Sequence, residues 1–284
     1  MSERSAFLTD LNPNPRMRTV VSRESLLKAV ILAGGYGSRL SEETTVRPKP
    51  MVEIGGRPIL WHIMKHYSHH GIRDFVICCG YKGHMIKEYF ATYFLRESDL
   101  RFDWRNDRMD VLDNRSEPWT VTLIDTGLKT ATGGRLKRVR KHLGDETFCF
   151  TYGDGVCNVD IQDVIRFHRQ QNVLATLTAV QPPGRYGSFE FVDDSTGMQW
   201  LKDRAHGDGA WVNGGFFVIE PAAIDYVEDD LIMWESAPME RLAEEGQVAA
   251  FKHGGFWRCM DHLSDKVYLE NLWSGGAPPW KVWQ

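Results

Sequence analysis

Residues 27–33, LKAVILA, form a short run, continuously apolar after Lys28 and carrying β-branched side chains, that passes directly into Gly34, Gly35, Tyr36 and Gly37. A strand that is apolar at every position is buried on both faces, which suits a parallel strand covered by helices. The same alternation recurs downstream. Pro58 opens ILWHIMKHYSHHG, where Ile59, Leu60, Ile63, Met64 and Tyr67 fall at helical spacing and Gly71 supplies the stop. DFVICCGY reads as a second buried strand, residues 82–94 as a helix, TFCFTYGD as a strand ending in an acidic turn, residues 161–171 as a helix and LATLTAV as a further strand. Strand and helix in alternation predict an α/β fold of Rossmann-like type, a mainly parallel sheet flanked by helices on both faces.

Some segments depart from that rhythm. Residues 100–125 carry scattered charges with the short β-like pieces RMDVL and WTVTLID, which suggest a hairpin excursion. Residues 183–217 (SFEFV, MQWLK, FFVIE) suggest a smaller antiparallel part beside the main sheet. The last 30 or so residues hold Trp257, Trp273, Trp280 and Trp283 around a helix-like LSDKVYLENLW, and they are expected to pack on the body or on a second subunit. Residues 1–27 are polar, contain Pro13 and Pro15, and read as an extension on one domain spanning residues 28–284.

Composition excludes some partners. With 34 basic against 38 acidic residues the formal charge is −4, so neither nucleic acid nor an anionic membrane is attracted at long range. No stretch approaches the ~18 to 20 consecutive apolar residues of a membrane span. The N-terminal residues lack the apolar segment of a secretory signal, so a soluble, cytoplasmic chain is expected. The five cysteines form no CxxC pair, lie mostly in apolar runs and read as buried thiols. His62, His66, His69 and His70 include an i, i+4 pair that could grip a metal, but their apolar flanks favour packing or a subunit contact.

The segment LAGGYGSRLSEETTVRPKP carries the chemistry. Glycines let backbone N–H groups approach phosphate oxygens, and a turn after a strand can form an anion-binding concavity. Neither the dinucleotide fingerprint GxGxxG nor the P-loop GxxxxGK[ST] fits. What fits is GGxGxRL followed by Pro-Lys-Pro, here Gly34-Gly35-Tyr36-Gly37-Ser38-Arg39-Leu40 and Pro48-Lys49-Pro50. Together with MVEIGGRPILWHIMKHY, ICCGYKG, TGGRLKR, FTYGDGV, PPGRYG, NGGFFV, GFWRCMD and DKVYLENLW, this resembles the sugar-nucleotide pyrophosphorylases from about residue 28 to the C-terminus. The wording ICCGYKG and TYGDGV is similar to their cytidylyl branch, the glucose-1-phosphate cytidylyltransferases.

The resemblance implies an enzyme that condenses CTP with a sugar 1-phosphate, with Mg²⁺ as cofactor and a tendency to homo-oligomers. A phosphate monoester has its second pKa near ~6, so the attacking phosphate needs no general base. The obstacle is repulsion between two anions, which Arg, Lys and a divalent ion relieve. On that logic Arg39 holds the leaving end of the triphosphate, with Arg47 as a second candidate, and Lys49 bridges the two phosphates. Asp154 ends an apolar run, at the carboxyl edge where open α/β sheets bind ligands, and is the first candidate metal ligand. Asp261 reads locally as either a helix N-cap or a ligand, and the resemblance makes it the second metal aspartate.

By the same resemblance, Leu32, Ala33, Gly34, Gly35, Tyr36, Gly37, Ser38, Thr130, Arg135 and Gly153 border the nucleotide, and residues 28–180 serve mainly that half. Lys137, Arg138, Arg140 and Lys141 are expected to face solvent. Gly187 and Asn213 match sugar-contacting positions within residues 181–284. The family's Glu-Lys-Pro stands here as Asp203-Arg204-Ala205, a shorter acid, a forked cation and no rigid proline. The sugar pocket is therefore expected either to keep glucose with altered geometry or to accept a related sugar phosphate. The alternatives are the same chemistry with dTTP or UTP, and a sugar-nucleotide sensor or scaffold.

Overall fold

The computed structural model describes residues 27–182, 188–191, 198–201 and 210–284. The N-terminal extension through residue 26, Gly187, Asp203 and Arg204 lie outside the described residues.

The main sheet consists of β1 (Lys28–Ala33), β2 (Asp74–Cys79), β3 (Thr120–Asp125), β4 (Phe148–Tyr152), β5 (Ala175–Val180), β6 (Val212–Ile219) and β7 (Val248–His253). Their spatial order is β7-β5-β6-β4-β1-β2-β3. Neighbours are parallel except β6, which runs antiparallel to both β4 and β5. The alternating helices are α1 (Ile59–His69), α2 (Gly83–Ala91), α3 (Thr132–Val139), α4 (Ile161–Gln171), α5 (Ala237–Glu244) and α6 (Leu263–Ser274). No described helix is long and apolar enough to cross a membrane.

β1 shows why its run is apolar from Ala29 onward. Ala29, Ile31 and Ala33 face a core with Ile59, Ile63 and Tyr67 of α1 and Ile86 of α2. Val30 and Leu32 face a second core, built with Leu136 and Val139 of α3 and Trp234. A strand between two such layers has no face left for polar side chains.

The sequence expectation is corrected at two places. Ser98–Asp103 and Arg108–Asn114 do form an antiparallel hairpin, but WTVTLID is not part of it. Its residues Thr120–Asp125 are β3, the edge strand paired in parallel with β2, because Val121 and Leu123 pack against the first core. The Ser188–Phe191 and Met198–Leu201 pair makes a separate antiparallel ribbon. The run FFVI instead belongs to β6 inside the main sheet, where Phe216, Val218, Phe217 and Ile219 divide between the two cores.

The tryptophan-rich tail packs on the body. Trp280 and Trp283 join the first core, and the Trp273 ring lies 4.8 Å, centroid to centroid, from His62 on α1. Two of the four clustered histidines, His62 and His66, are buried in the packing, while His69 is exposed and His70 half-buried. His62 is 1% exposed; its Nε2 lies 2.8 Å from the Ile54 carbonyl oxygen and its Nδ1 is 3.4 Å from the Trp280 indole N–H. Those partners fit a neutral ring that donates at Nε2 and accepts at Nδ1. Burial lowers the pKa of His62 to about 4 and of His66 to about 3.

Between the unfolded value near ~6.5 and those folded values, the unfolded chain takes up protons that the native chain refuses. Stability carried by each histidine is present above about pH 6.5 and is lost as the pH falls, at up to about 1.4 kcal/mol per pH unit. Urea melts from pH 6 to 4.5 should give a shallower pH slope for His62→Phe than for the unsubstituted protein. Equal slopes would contradict the neutral buried state.

Candidate functional site

The carboxyl edge of the sheet gathers the candidate site side chains into a cleft of about 730 Å³. β1 delivers the glycine loop and Arg39; β4 delivers Gly153 and Asp154. Because β6 is antiparallel to β4, its first residues, including Asn213, arrive at that same edge. Apart from the second candidate Arg47, the expected site residues that are described line the cleft: Leu32, Ala33, Gly34, Gly35, Tyr36, Gly37, Ser38, Arg39, Lys49, Thr130, Arg135, Gly153, Asp154, Asn213 and Asp261. Arg47 is not among the lining residues; it pairs with Glu53 at 3.1 Å.

The glycine loop is held from below by Arg135, which is 4% exposed. Its Nη2 donates to the Gly34 carbonyl at 3.0 Å, and its Nη1 donates to the Gly127 carbonyl at 2.7 Å and the Thr126 hydroxyl at 2.8 Å. One guanidinium thus ties the loop after β1 to the loop after β3. Burial against these neutral acceptors lowers its pKa from the ordinary arginine value. Residue 34 must be glycine for this contact, since a Cβ there would stand 2.1 Å from Arg135 Nη1. Gly37, at φ 65°, opens the tight turn Ser38–Leu40 that carries Arg39. The neighbouring cations Lys137, Arg138 and Lys141 are exposed, as expected, and Arg140 is half-buried; at that surface Lys137 Nζ donates to the Val227 and Glu228 carbonyls, and Arg138 pairs with Asp230.

The centre of the cleft is ionic. Lys49, between two prolines and 7% exposed, places Nζ 2.6 Å from Asp154 Oδ2 and 2.8 Å from Asp261 Oδ1. Arg39 Nη1 reaches Asp261 Oδ2 at 2.8 Å. Burial works against the Lys49 charge, but the carboxylates outweigh it and its pKa is raised. Asp261 balances likewise: burial pushes its pKa up, Lys49 and Arg39 pull it down, and the net shift is downward.

Asp261 reaches Asp154 because Trp257–Cys259 pairs antiparallel with Gly155–Cys157, and the Met260 N–H donates to the Asp154 carbonyl at 2.8 Å. It is not the helix cap. Asp265 accepts from the N–H groups of Asp261 at 3.0 Å and His262 at 2.8 Å, so α6 is closed by its own aspartate.

Sequence reading missed a second network. The Tyr152 hydroxyl bonds to Glu235, Glu235 accepts from the Thr132 hydroxyl at 2.6 Å, and Asn213 Nδ2 donates to Tyr152 at 3.3 Å. This chain joins the start of α3 to the start of β6 across the cleft. Tyr152 stands beside Asp154 in TYGD and was within reach of the motif, whereas Glu235 in LIMWES carries no local signal. Cys259 departs from the buried-thiol expectation: it is half-buried, lines the cleft, and its sulfur lies with carboxylate oxygens of Asp154 and Asp261 inside a 4.8 Å group able to hold a metal ion.

The Gly34–Arg135 contact gives a direct test. Gly34→Ala should cost about 1 to 3 kcal/mol of stability in urea melts through overpacking. In an Arg135→Met background the same change should cost at least about 1 kcal/mol less. Additive costs would show that the two residues do not press on each other.

Comparison with known proteins agrees with this architecture. Residues 28–230 match the nucleotidyl transferase family. The glucose-1-phosphate cytidylyltransferase of Salmonella typhi is 57% identical over 259 residues, covering 91% of this chain and 100% of that protein. The crystal structure of HddC from Yersinia pseudotuberculosis superposes with a TM-score of 0.64 at 21% identity, over 87% of this chain and 99% of that one. A UDP-glucose pyrophosphorylase complexed with UDP-glucose superposes with a TM-score of 0.63 at 14% identity, over 88% and 99%. These two structures share the fold. The chain belongs to the nucleotidyl transferase family, and within it to the glucose-1-phosphate cytidylyltransferases.

Proposed function

We propose that this cleft condenses CTP with α-D-glucose 1-phosphate, giving CDP-glucose and pyrophosphate by in-line attack of the sugar phosphate on the α-phosphorus. The observation that carries the reading is Lys49, a buried ammonium fixed at the junction of the glycine loop, the end of β4 and the segment before α6. Family membership supports the substrate pair.

The two substrates bring about six negative charges together, so the barrier is mainly electrostatic. Lys49, released toward the attacking and α-phosphates, neutralises both as they approach. Arg39, on its turn at the mouth, holds the β- and γ-phosphates that leave. The N–H groups of residues 33–38 face the triphosphate, and Arg135 keeps that loop in shape. Residues 28–180 in this reading supply the nucleotide side. Asn213, on the Tyr152–Glu235 network, serves the sugar side together with Gly187, Asp203 and Arg204.

Of the three donors gathered here, the Asp154 and Asp261 carboxylates fit a hard divalent cation such as Mg²⁺, which keeps several of its waters, whereas the Cys259 thiol is a soft donor that such an ion does not need. Asp154 and Asp261 would hold it, and when bound it supplies charge neutralisation beside the triphosphate.

Lys49→Met removes the ammonium and keeps much of the stem. Steady-state pyrophosphate release should fall by at least about 10²-fold in kcat, the scale of one lost transition-state charge contact. The circular-dichroism spectrum should be retained. A folded variant with unchanged turnover would overturn the role given to Lys49.

A further inference from the structure

The two carboxylates of the cleft have cationic partners from the chain itself. Lys49 Nζ sits within hydrogen-bond distance of both, and Arg39 takes the second oxygen of Asp261. Two aspartates and two cations make a locally neutral set. A divalent ion entering it meets an ammonium wedged between the oxygens it needs, and like charges at such range repel strongly where solvent is scarce. Lys49 is 7% exposed, so water does little to screen that repulsion. The Arg39 side chain, by contrast, is 66% exposed and can swing outward without unpacking anything.

A triphosphate changes the balance. It brings about four negative charges to the same edge, and lysine and arginine bind phosphate oxygens at least as well as carboxylates. Drawing both cations onto phosphate leaves Asp154 and Asp261 as an uncompensated pair with a net charge of about −2, which a divalent ion can then neutralise.

We propose that Lys49 and Arg39 are resident counter-ions of the Asp154–Asp261 pair, so that a divalent ion gains the site only as a triphosphate draws these two cations away. The proposal rests on the reading of Asp154 and Asp261 as the ion-holding residues. Ion and triphosphate then bind as a coupled pair, each strengthening the other by the same factor. The free protein has little affinity for the metal alone.

The test uses Mn²⁺ alone as probe, titrated into the full-length protein without nucleotide or sugar phosphate and followed by the electron paramagnetic resonance of free Mn²⁺. Lys49→Met should bind Mn²⁺ at least about tenfold more tightly than the unsubstituted protein, because it removes the wedged charge. Arg39→Gln, at an exposed side chain where folding is not at stake, should shift affinity in the same direction by a smaller factor. Adding Asp154→Asn to Lys49→Met should abolish the gained affinity. If the unsubstituted protein already binds Mn²⁺ as tightly as Lys49→Met and Asp154→Asn removes that binding, the counter-ion proposal fails while the ion-holding reading stands. If Lys49→Met gains affinity that survives Asp154→Asn and Asp261→Asn, the ion lies elsewhere and the ion-holding reading fails.

Discussion

The Lys49 ammonium, shared between Asp154 and Asp261, is the contact on which the cleft depends. It joins residues 105 and 212 positions apart in the chain, so it exists only when the fold has brought three distant segments to one sheet edge. Each segment is delivered by an independent device. The parallel pairing of β1 with β4 sets the glycine loop beside Asp154. The short antiparallel pair of Trp257–Cys259 with Gly155–Cys157 then carries Asp261 to the same point. A buried charge with one partner missing costs several kcal/mol, so the three groups hold one another to a single arrangement.

That arrangement also answers a conflict in the chemistry. A site for two anions should not contain two aspartates, yet a divalent ion needs them. In the proposed reading internal cations reconcile the requirements: Lys49 and Arg39 pair with the carboxylates and would turn to phosphate oxygens when a triphosphate binds. Arg135 works differently, because its acceptors are carbonyls and a hydroxyl, not carboxylates. It shapes the glycine loop through its fork geometry and leaves its charge uncancelled by a bonded acid.

Much of this was legible in the sequence because it rests on local signals. Unbroken apolar runs marked β1, β2 and β4, helical spacing marked α1 and α4, and the glycine loop with Pro-Lys-Pro marked the cleft. Information held only in long-range pairing stayed hidden. WTVTLID alternates like a hairpin strand, and nothing local says that it joins β2 in parallel. FFVI is apolar on both faces, which announces burial but not the antiparallel slot between β4 and β5. Glu235 and Cys259 belong to the cleft through tertiary approach alone, and only the family resemblance sets Arg135 apart from the other charges on its basic helix, its bond to the Gly34 carbonyl being a tertiary contact.

The central claim is that this cleft joins a cytidylyl group to a glucose phosphate. The most direct measurement is pyrophosphate release by the purified protein with Mg²⁺, crossing CTP, dTTP, UTP, ATP and GTP against glucose 1-phosphate and related sugar 1-phosphates. The account predicts turnover with CTP and glucose 1-phosphate at least about tenfold above any other pair, a gap of ~1.4 kcal/mol in transition-state binding. Preference for another nucleotide or another sugar phosphate, or no turnover with any pair, would contradict it.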